Sequence, residues 1–255
     1  MKSSRQKAIT EILEKDRVIN TVDLAARFQV SLETIRRDLN QLEMLGVLKK
    51  VYGGAEYLDN TTSPWPSLSV RQESNRAAKN AIAAQAIQYV PDDCTIALDA
   101  GTTLAEFCRY LPMRNNLTVI CSDIHSANLL LSSDSSRVYM MGGFLTNDGT
   151  SNGIFAKEFF SSISEISVFV CSCDGVDIEN GLTSNGLGIN ELKRHYIKKA
   201  KTIILLADHS KFTQKGFYKV CSLSDIDIVI TDSLTPAETI SQLEDLGIKV
   251  VVASC

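Results

Sequence analysis

The sequence lacks any long apolar run. Its longest unbroken aliphatic stretch, Ile203-Ile204-Leu205-Leu206-Ala207, falls far short of the ~18 residues of a membrane-spanning helix, which excludes a helical transmembrane protein. Nor does it open on an apolar core with a small-residue cleavage site. Met1-Lys2-Ser3-Ser4-Arg5-Gln6 leads instead into a charged amphipathic stretch, so no signal peptide is read and the cytoplasm is the expected compartment. The seven cysteines are an odd number in a chain of 255 residues. A chain of that length needs no covalent staples, so reduced thiols are expected. A surplus of basic charge is missing too: 26 Lys and Arg stand against 30 Asp and Glu, a net charge of −4, which by itself weighs against a nucleic-acid partner. What is present is 44% apolar and 22% charged side chains, the balance of a soluble globular protein rather than a disordered or fibrous one. The length admits one large domain or two smaller ones.

Residues 1–57 read as short helices ending in a Gly-marked ribbon. Ala8, Ile9, Ile12 and Leu13 recur at helical spacing. Asn20 can cap a second helix, with Asp23 reaching back in a capping box and Leu24, Ala25 and Phe28 as its buried stripe. After the Gln29-Val30 turn, Ser31 caps a third helix whose Leu32, Ile35, Leu39, Leu42 and Leu45 share one arc, until Gly46 ends it. Val47–Tyr52, closed by Gly53-Gly54, predicts a strand and turn. Residues 58–74, with Trp65 between Pro64 and Pro66, read as a turn-rich linker, Trp65 serving as its anchor. From residue 75 the texture becomes alternating helices and continuous apolar strands, which predicts βαβ units and a largely parallel sheet covered on both faces. Strands are expected at 94–98, 117–121, 137–141, 168–172, 202–207, 226–230 and 249–252, and helices at 75–89, 104–110, 124–131, 190–200 and 236–246.

Two helices joined by a short turn, the second carrying arginines, predict a helix-turn-helix whose second helix enters the major groove. Its apolar arc leaves Glu33, Thr34, Arg37, Asn40 and Gln41 outward, with Arg36 on the flank. Arg pairs with guanine O6/N7, Asn or Gln with adenine, and Thr with a thymine methyl or a phosphate. Lys49, Lys50 and Tyr52 on the ribbon, with Arg5 and Gln6, suit phosphates. A solvated polar face on an ordinary helical hairpin also fits these residues. The segment Phe28-Gln29-Val30-Ser31-Leu32-Glu33-Thr34-Ile35-Arg36-Arg37-Asp38-Leu39-Asn40-Gln41-Leu42-Glu43, followed by Gly46 and Tyr52-Gly53-Gly54-Ala55, resembles the signature of the DeoR/GlpR family of bacterial transcription regulators. The resemblance implies a winged helix-turn-helix in which Thr34, Arg36 and Arg37 approach DNA and Asp38 orients the arginines. The DNA-binding set is thus Ser31, Glu33, Thr34, Arg36, Arg37, Asn40, Lys49, Lys50 and Tyr52.

At the end of the first predicted strand of the larger region, Asp99-Ala100-Gly101-Thr102-Thr103 runs into a helix. A Gly turn with hydroxyls at a helix N-terminus suits a phosphate, and a tight turn with a Thr cap fits equally. Ser122-Asp123, Gly142-Gly143 and Cys173-Asp174-Gly175-Val176-Asp177 also fall at strand ends, where the crevice of an open parallel sheet lies. Asp208-His209-Ser210-Lys211-Phe212 adds a lysine. Lys211 can neutralise a phosphate, and Asp99 and Asp174 can accept sugar hydroxyls. These loops resemble the D-x-G-T-T, G-G, D-G-I/V and D-x-S-K-F motifs of the same family's sensor domain. That implies a fold shared with ribose-5-phosphate isomerase-like proteins and a phosphorylated sugar or related catabolite as effector, held by Asp99, Gly101, Thr102, Thr103, Ser122, Gly143, Asp174, Gly175 and Lys211. Cys121-Ser122-Asp123 stands where the family carries T-N-S. Asn185-Gly186-Leu187-Gly188-Ile189-Asn190 replaces an acidic stretch, while Glu191-Leu192-Lys193 keeps E-x-K.

The isomerase likeness makes a sugar-phosphate isomerase-like enzyme the rival reading. Moving a proton between sugar carbons needs a positioned base and a cation. Asn185 replaces the isomerases' loop lysine, and the base position falls at Lys193 or Arg194, so a pocket without chemistry is expected. Cys171 and Cys173 lack a Cys or His to complete a zinc set. No metal and no cofactor are expected, and core packing accounts for both thiols. His209 suits either the pocket or an ordinary capping site. Ser210 and Lys211 have no oxyanion hole to make a nucleophile pair.

The sequence thus predicts an N-terminal winged helix-turn-helix (1–57), a linker (58–74), and a mostly parallel α/β effector-binding and oligomerisation domain (75–255). The expected function is repression of a carbohydrate-utilisation operon, with double-stranded operator DNA and a phosphorylated sugar as partners, in a homo-oligomer, dimer or tetramer. An activator of the same architecture is the other regulator reading. Residues 1–57 hold 10 basic against 8 acidic side chains and the remainder 16 against 22, so the acidity belongs to the sensor.

Overall fold

The computed structural model describes residues 4–16, 18–44, 48–51, 53–57, 66, 68–132, 136–146, 148–152, 159 and 162–254. They form two compact units, Met1–Ser74 and Asn75–Cys255. Among the described residues no helix is long and apolar enough to cross a membrane.

The first unit runs α1 (Ser4–Asp16), β1 (Val18–Asn20), α2 (Thr21–Phe28), α3 (Leu32–Met44), β2 (Leu48–Val51), β3 (Gly54–Tyr57) and α4 (Leu68–Glu73). Its core is Ile9 and Leu13 of α1, Leu24 of α2, Ile35, Leu39 and Leu42 of α3, and Ile19, Leu48 and Ala55 of the sheet. The helical members are all residues that helical spacing predicts, whereas Leu32, predicted with them, sits 41% exposed at the first position of α3. Asn20 caps α2 through a 2.8 Å bond from Val22 N–H, and no bond from Asp23 completes a box among the described residues. Gln29 ends α2 in a left-handed conformation, φ 53. β1 is unpredicted. It pairs antiparallel with β3, giving the order β1-β3-β2. Helix α4 occupies part of the span expected as linker. Gly46, Trp65, Leu45, Tyr52, residues 58–65 and Ser67 lie outside the described residues.

Asp38 takes a different role from the one implied by resemblance. Its buried carboxylate accepts from Arg5 Nε and, at 3.2 Å, from Gln6 Nε2, so it ties α3 to α1 instead of orienting Arg36 and Arg37. Gln41 is exposed, as its outward reading requires, and its Oε1 accepts from Gln6 Nε2.

The second unit is built on a seven-stranded sheet of β4 (Thr95–Leu98), β5 (Leu117–Cys121), β6 (Ser136–Met140), β9 (Ile166–Cys171), β12 (Ala200–Leu206), β14 (Ile228–Asp232) and β15 (Lys249–Ala253), in the order β15-β14-β12-β9-β4-β5-β6. Every pairing is parallel. The strand sequences are continuously apolar because alternate residues serve opposite faces. Ile96, Leu98, Val168, Val170, Ile204 and Leu206 pack with α5 (Arg76–Ala86), α6 (Thr102–Cys108) and α7 (Ile124–Leu130). Ala97, Phe169, Cys171, Ile203, Leu205 and Val229 pack on the other face with Leu192 and Tyr196 of α8 (Leu187–Lys199) and Leu243 of α9 (Ala237–Asp245). Every strand and helix predicted in this region is present within a few residues of its predicted span. Two features are not predicted. One is a small antiparallel sheet, β10 (Gly175–Asp177), β11 (Gly181–Ser184) and β13 (Tyr218–Cys221), and the other is the hairpin β7 (Phe144–Leu145) with β8 (Ser151–Asn152).

Six cysteines, 94, 108, 121, 171, 173 and 221, are free and buried. Burial pushes the thiols of Cys108, Cys121, Cys173 and Cys221 up to about 12. Cys171 and Cys173 belong to the apolar cluster under α8, and among the described residues no group of three or more His, Cys, Asp or Glu is placed to hold a metal.

Replacing Asp38 by Ala removes the shared acceptor of Arg5 Nε and Gln6 Nε2 and is expected to cost the first unit about 1–3 kcal/mol in urea unfolding. Glu33→Ala, on the exposed face of the same helix, is expected to stay within about 0.5 kcal/mol of the parent.

Candidate functional site

On α3 the side chains of Ser31, Glu33, Arg36, Arg37 and Asn40 are exposed and Thr34 is half-buried. Ser31 Oγ accepts from Thr34 N–H at 3.2 Å and lies 2.9 Å from its hydroxyl, so both hydroxyls sit at the start of the helix. Arg36 approaches Glu33 only to 3.9 Å with both side chains in solvent, a contact worth little. None of the ion pairs among the described residues engages Arg37. Lys50 of β2 donates its Nζ to Asn40 Oδ1 at 2.6 Å and its N–H to Glu43 at 2.8 Å, which holds the ribbon beside the helix. The face therefore offers two arginines, an amide and a lysine on a rigid element. Tyr52 and the side chain of Lys49 lie outside the described residues.

In the second unit several of the predicted residues lie at the carboxyl ends of the parallel strands. Leu98 pairs with Cys121 across β4 and β5, so Asp99 and Ser122 follow on neighbouring strands. Asp99 is fully buried, and its Oδ2 meets Lys193 Nζ at 2.8 Å. Ser172, at the end of β9, donates its N–H to the same oxygen at 2.9 Å and places its hydroxyl 3.0 Å away. Lys193 also donates to Ser172 O at 2.9 Å. Burial alone would lower the lysine, but the charge of Asp99, the hydrogen bond to it and the charge of Asp174 hold Lys193 above its ordinary value. Gly101 turns the chain into α6 at φ +147, and a Cβ there would lie 3.0 Å from Ser172 Oγ, so any side chain at this turn would be strained and would crowd Ser172.

Asp174 accepts Asn185 N–H at 2.7 Å. Burial pushes its carboxyl up, outweighing the opposing pull of Lys193, Asn185 and Lys211. Asp208 caps the turn that holds Lys211, accepting from Ser210 N–H at 3.1 Å, from the Ser210 hydroxyl at 2.5 Å and from Asn75 Nδ2 at 2.8 Å. His209 is fixed by Asp232, which accepts its N–H at 2.8 Å and lies 2.9 Å from Nδ1. Burial would raise Asp232, yet the bonds from His209 and Leu234 hold it below the usual carboxylate range. None of the ion pairs among the described residues engages Lys211.

The structure thus brings Asp99, Gly101 and Ser122 together through the strand ends, with Asp174 and Lys211 linked electrostatically. Thr103 is buried on the core side of α6. Gly175 packs tightly, since a Cβ would fall 2.1 Å from Gln214 O; its place is dictated by the small sheet. Gly143 is exposed between β6 and β7, and no described contact joins it to the others. Sequence reasoning missed Ser172, Ser151, Asn190 and the role of Lys193. One signal was available: Asn190 and Lys193 are polar residues three apart inside the apolar stripe of Ile189, Leu192 and Tyr196 on α8.

Residues 5–61 match the family model of the DeoR-like helix-turn-helix domain, and residues 74–233 match that of the DeoR C terminal sensor domain. The transcriptional repressor AccR of Agrobacterium fabrum is 31% identical over 98% of this chain and 97% of its own. The HTH-type transcriptional regulator GolR of Listeria innocua is 32% identical over 98% of each chain. The glycerol-3-phosphate regulon repressor of Escherichia coli is 27% identical over 95% of this chain and 96% of its own. Among solved structures, ribose 5-phosphate isomerase A of Methanocaldococcus jannaschii aligns over 55% of each chain with 20% identity and a TM-score of 0.41.

Lys193→Met is expected to destabilise the second unit by about 3–5 kcal/mol, because it leaves the Asp99 charge buried without its partner; adding Asp99→Asn should recover much of the loss. The raised lysine stabilises fully below its ordinary value of about 10.4 and loses that contribution only as pH rises beyond it. The gap between parent and Lys193→Met in urea melts should therefore be constant through neutral pH and close in strong alkali.

Proposed function

The chain belongs to the DeoR family of transcriptional regulators, and from that premise we propose that it is a DNA-binding repressor of a carbohydrate-utilisation operon. Operator DNA is read by α3, and a phosphorylated sugar bound at the strand ends of the second unit controls that binding. The observation that carries the reading is the α3 face, where Arg36 and Arg37 stand exposed without internal partners strong enough to hold them. Arg37 is the residue for base contact, and Lys50, steadied by Asn40, is the residue for a phosphate. The protein works in the cytoplasm as a homo-oligomer, whose two-fold axes match the dyads of operators. Lys211 faces the phosphate of the effector. Asp99, Ser122 and Asp174 face its hydroxyls. The effector must favour one of two arrangements of the protein, since equal affinity for both shifts nothing.

The rival reading as an isomerase-like enzyme lacks its chemistry at the decisive positions. Lys193 is committed to Asp99 and Ser172, Arg194 donates to the carbonyls of Val220 and Lys219, and Asn185 supplies an amide bonded to Phe217 N–H at 3.0 Å. No group there is a free base.

In fluorescence anisotropy with the DNA upstream of its own reading frame, the protein should bind with a steep dependence on salt. Arg37→Ala should narrow the gap between this DNA and a scrambled duplex by about 1–3 kcal/mol. Equal affinity of the parent protein for both duplexes would sink the reading. A transcription assay with the same promoter separates repressor from activator. A sugar phosphate that alters DNA binding of the parent should lose its effect on Lys211→Met, while DNA affinity without the sugar phosphate stays unchanged.

A further inference from the structure

Asn190 of α8 is 0% exposed, and neither its Oδ1 nor its Nδ2 has a hydrogen-bond partner among the described residues. Native proteins rarely leave both ends of a buried amide unsatisfied, and where they do the groups await water, an ion or a ligand. The buried oxygens in the same condition include Asp99 Oδ1, Ser122 Oγ and Ser151 Oγ. The topology brings the four residues to the same end of the sheet. Asp99 and Ser122 follow the paired Leu98 and Cys121 on adjacent strands. Ser151 donates its N–H to Ser122 O at 2.6 Å, and α8 packs against β8, the strand that Ser151 begins. Asn190 lies one helical turn before Lys193, whose Nζ grips the other oxygen of Asp99.

The chemistry of the set selects its occupant. The carboxylate oxygen accepts only, each serine hydroxyl accepts and donates, and the amide presents one acceptor and two donors. The neighbouring cation is Lys193, which already spends two of its three donors on Asp99 and Ser172. A spot rich in acceptors and beside a carboxylate repels an anion and fits a neutral carbon chain bearing adjacent hydroxyls, each giving a proton to one side and accepting from the other. We propose that Asn190, with Ser151, Ser122 and Asp99 Oδ1, forms the hydroxyl-reading end of the effector pocket and that Asn190 determines which polyhydroxylated phosphate is accepted. This rests on the sensor reading above, and it assigns the phosphate to the Lys211 end.

The test uses the full-length protein in isothermal titration with inorganic phosphate, glycerol 3-phosphate, ribose 5-phosphate, glucose 6-phosphate and fructose 6-phosphate, and with single-deoxy analogues of whichever binds. Asn190→Leu should keep the melting temperature, bind inorganic phosphate as the parent does, and lose at least tenfold in affinity for the sugar phosphate. The penalty for a missing hydroxyl, present in the parent, should vanish for at least one analogue in the variant. Ser151→Ala, which removes one oxygen with little change of volume, should act in the same direction by a few-fold. Undiminished affinity and an undiminished deoxy penalty in both variants would overturn the inference and leave the sensor reading standing. A melting temperature lowered by several degrees in Asn190→Leu, with unaltered sugar phosphate binding in Ser151→Ala, would assign the cluster to structural water instead. Failure of every sugar phosphate to bind the parent would overturn the sensor reading and this inference with it.

Discussion

The buried pair of Asp99 and Lys193 is the constraint on which the second unit's crevice depends. A carboxylate removed from water must be matched by a cation and by hydrogen-bond donors, or the fold loses several kcal/mol. Here the match comes from three elements at once: β4 supplies the acid, β9 supplies Ser172, and α8 supplies the lysine. The pair therefore does more than neutralise itself. It locks α8 across the strand ends, keeps Ser172 against the tight turn at Gly101, and leaves the second oxygen of Asp99 without a hydrogen-bond partner among the described residues. Weakening it would shift Asp99, Ser172 and α8 relative to one another.

The frame of this protein was legible in its sequence because its strands and helices are locally determined. Runs such as Ile203–Leu206 are apolar without a break since both sheet faces are covered, and each helix carries its own stripe. The α3 signature is legible for the same reason, as Ile35, Leu39 and Leu42 bury one side and so assign Arg36, Arg37 and Asn40 to the other. What stayed hidden depends on distant partners. β1 is three residues long and exists because β3 pairs with it. Gly175–Asp177 looks like a polar loop until Gly181–Ser184 and Tyr218–Cys221 turn it into a sheet. Lys193 was visible within E-x-K, but nothing local says that its partner is Asp99. Asp38 misled for the same reason: its neighbours in sequence are arginines, while its partners in space are Arg5 and Gln6.

Composition and placement point in opposite directions in the first unit. A surplus of two basic charges over residues 1–57 is a weak electrostatic attraction for DNA, and what matters is where the charges stand. Asp38 and Arg5 pair with each other, which takes one charge of each sign out of play. The arginines of α3 remain in solvent. Net charge averages over these fates, and only the structure separates them.

The six buried cysteines give the protein a quality unrelated to its ligand. A thiol reacts as its thiolate, and burial has pushed four of them up to about 12, so at neutral pH the folded second unit keeps these sulfurs chemically silent. They sit on both faces of the sheet, and any opening that exposes either face makes them ordinary nucleophiles. Thiol-directed oxidants and alkylating agents are consequently expected to reach these sulfurs only in molecules that have opened.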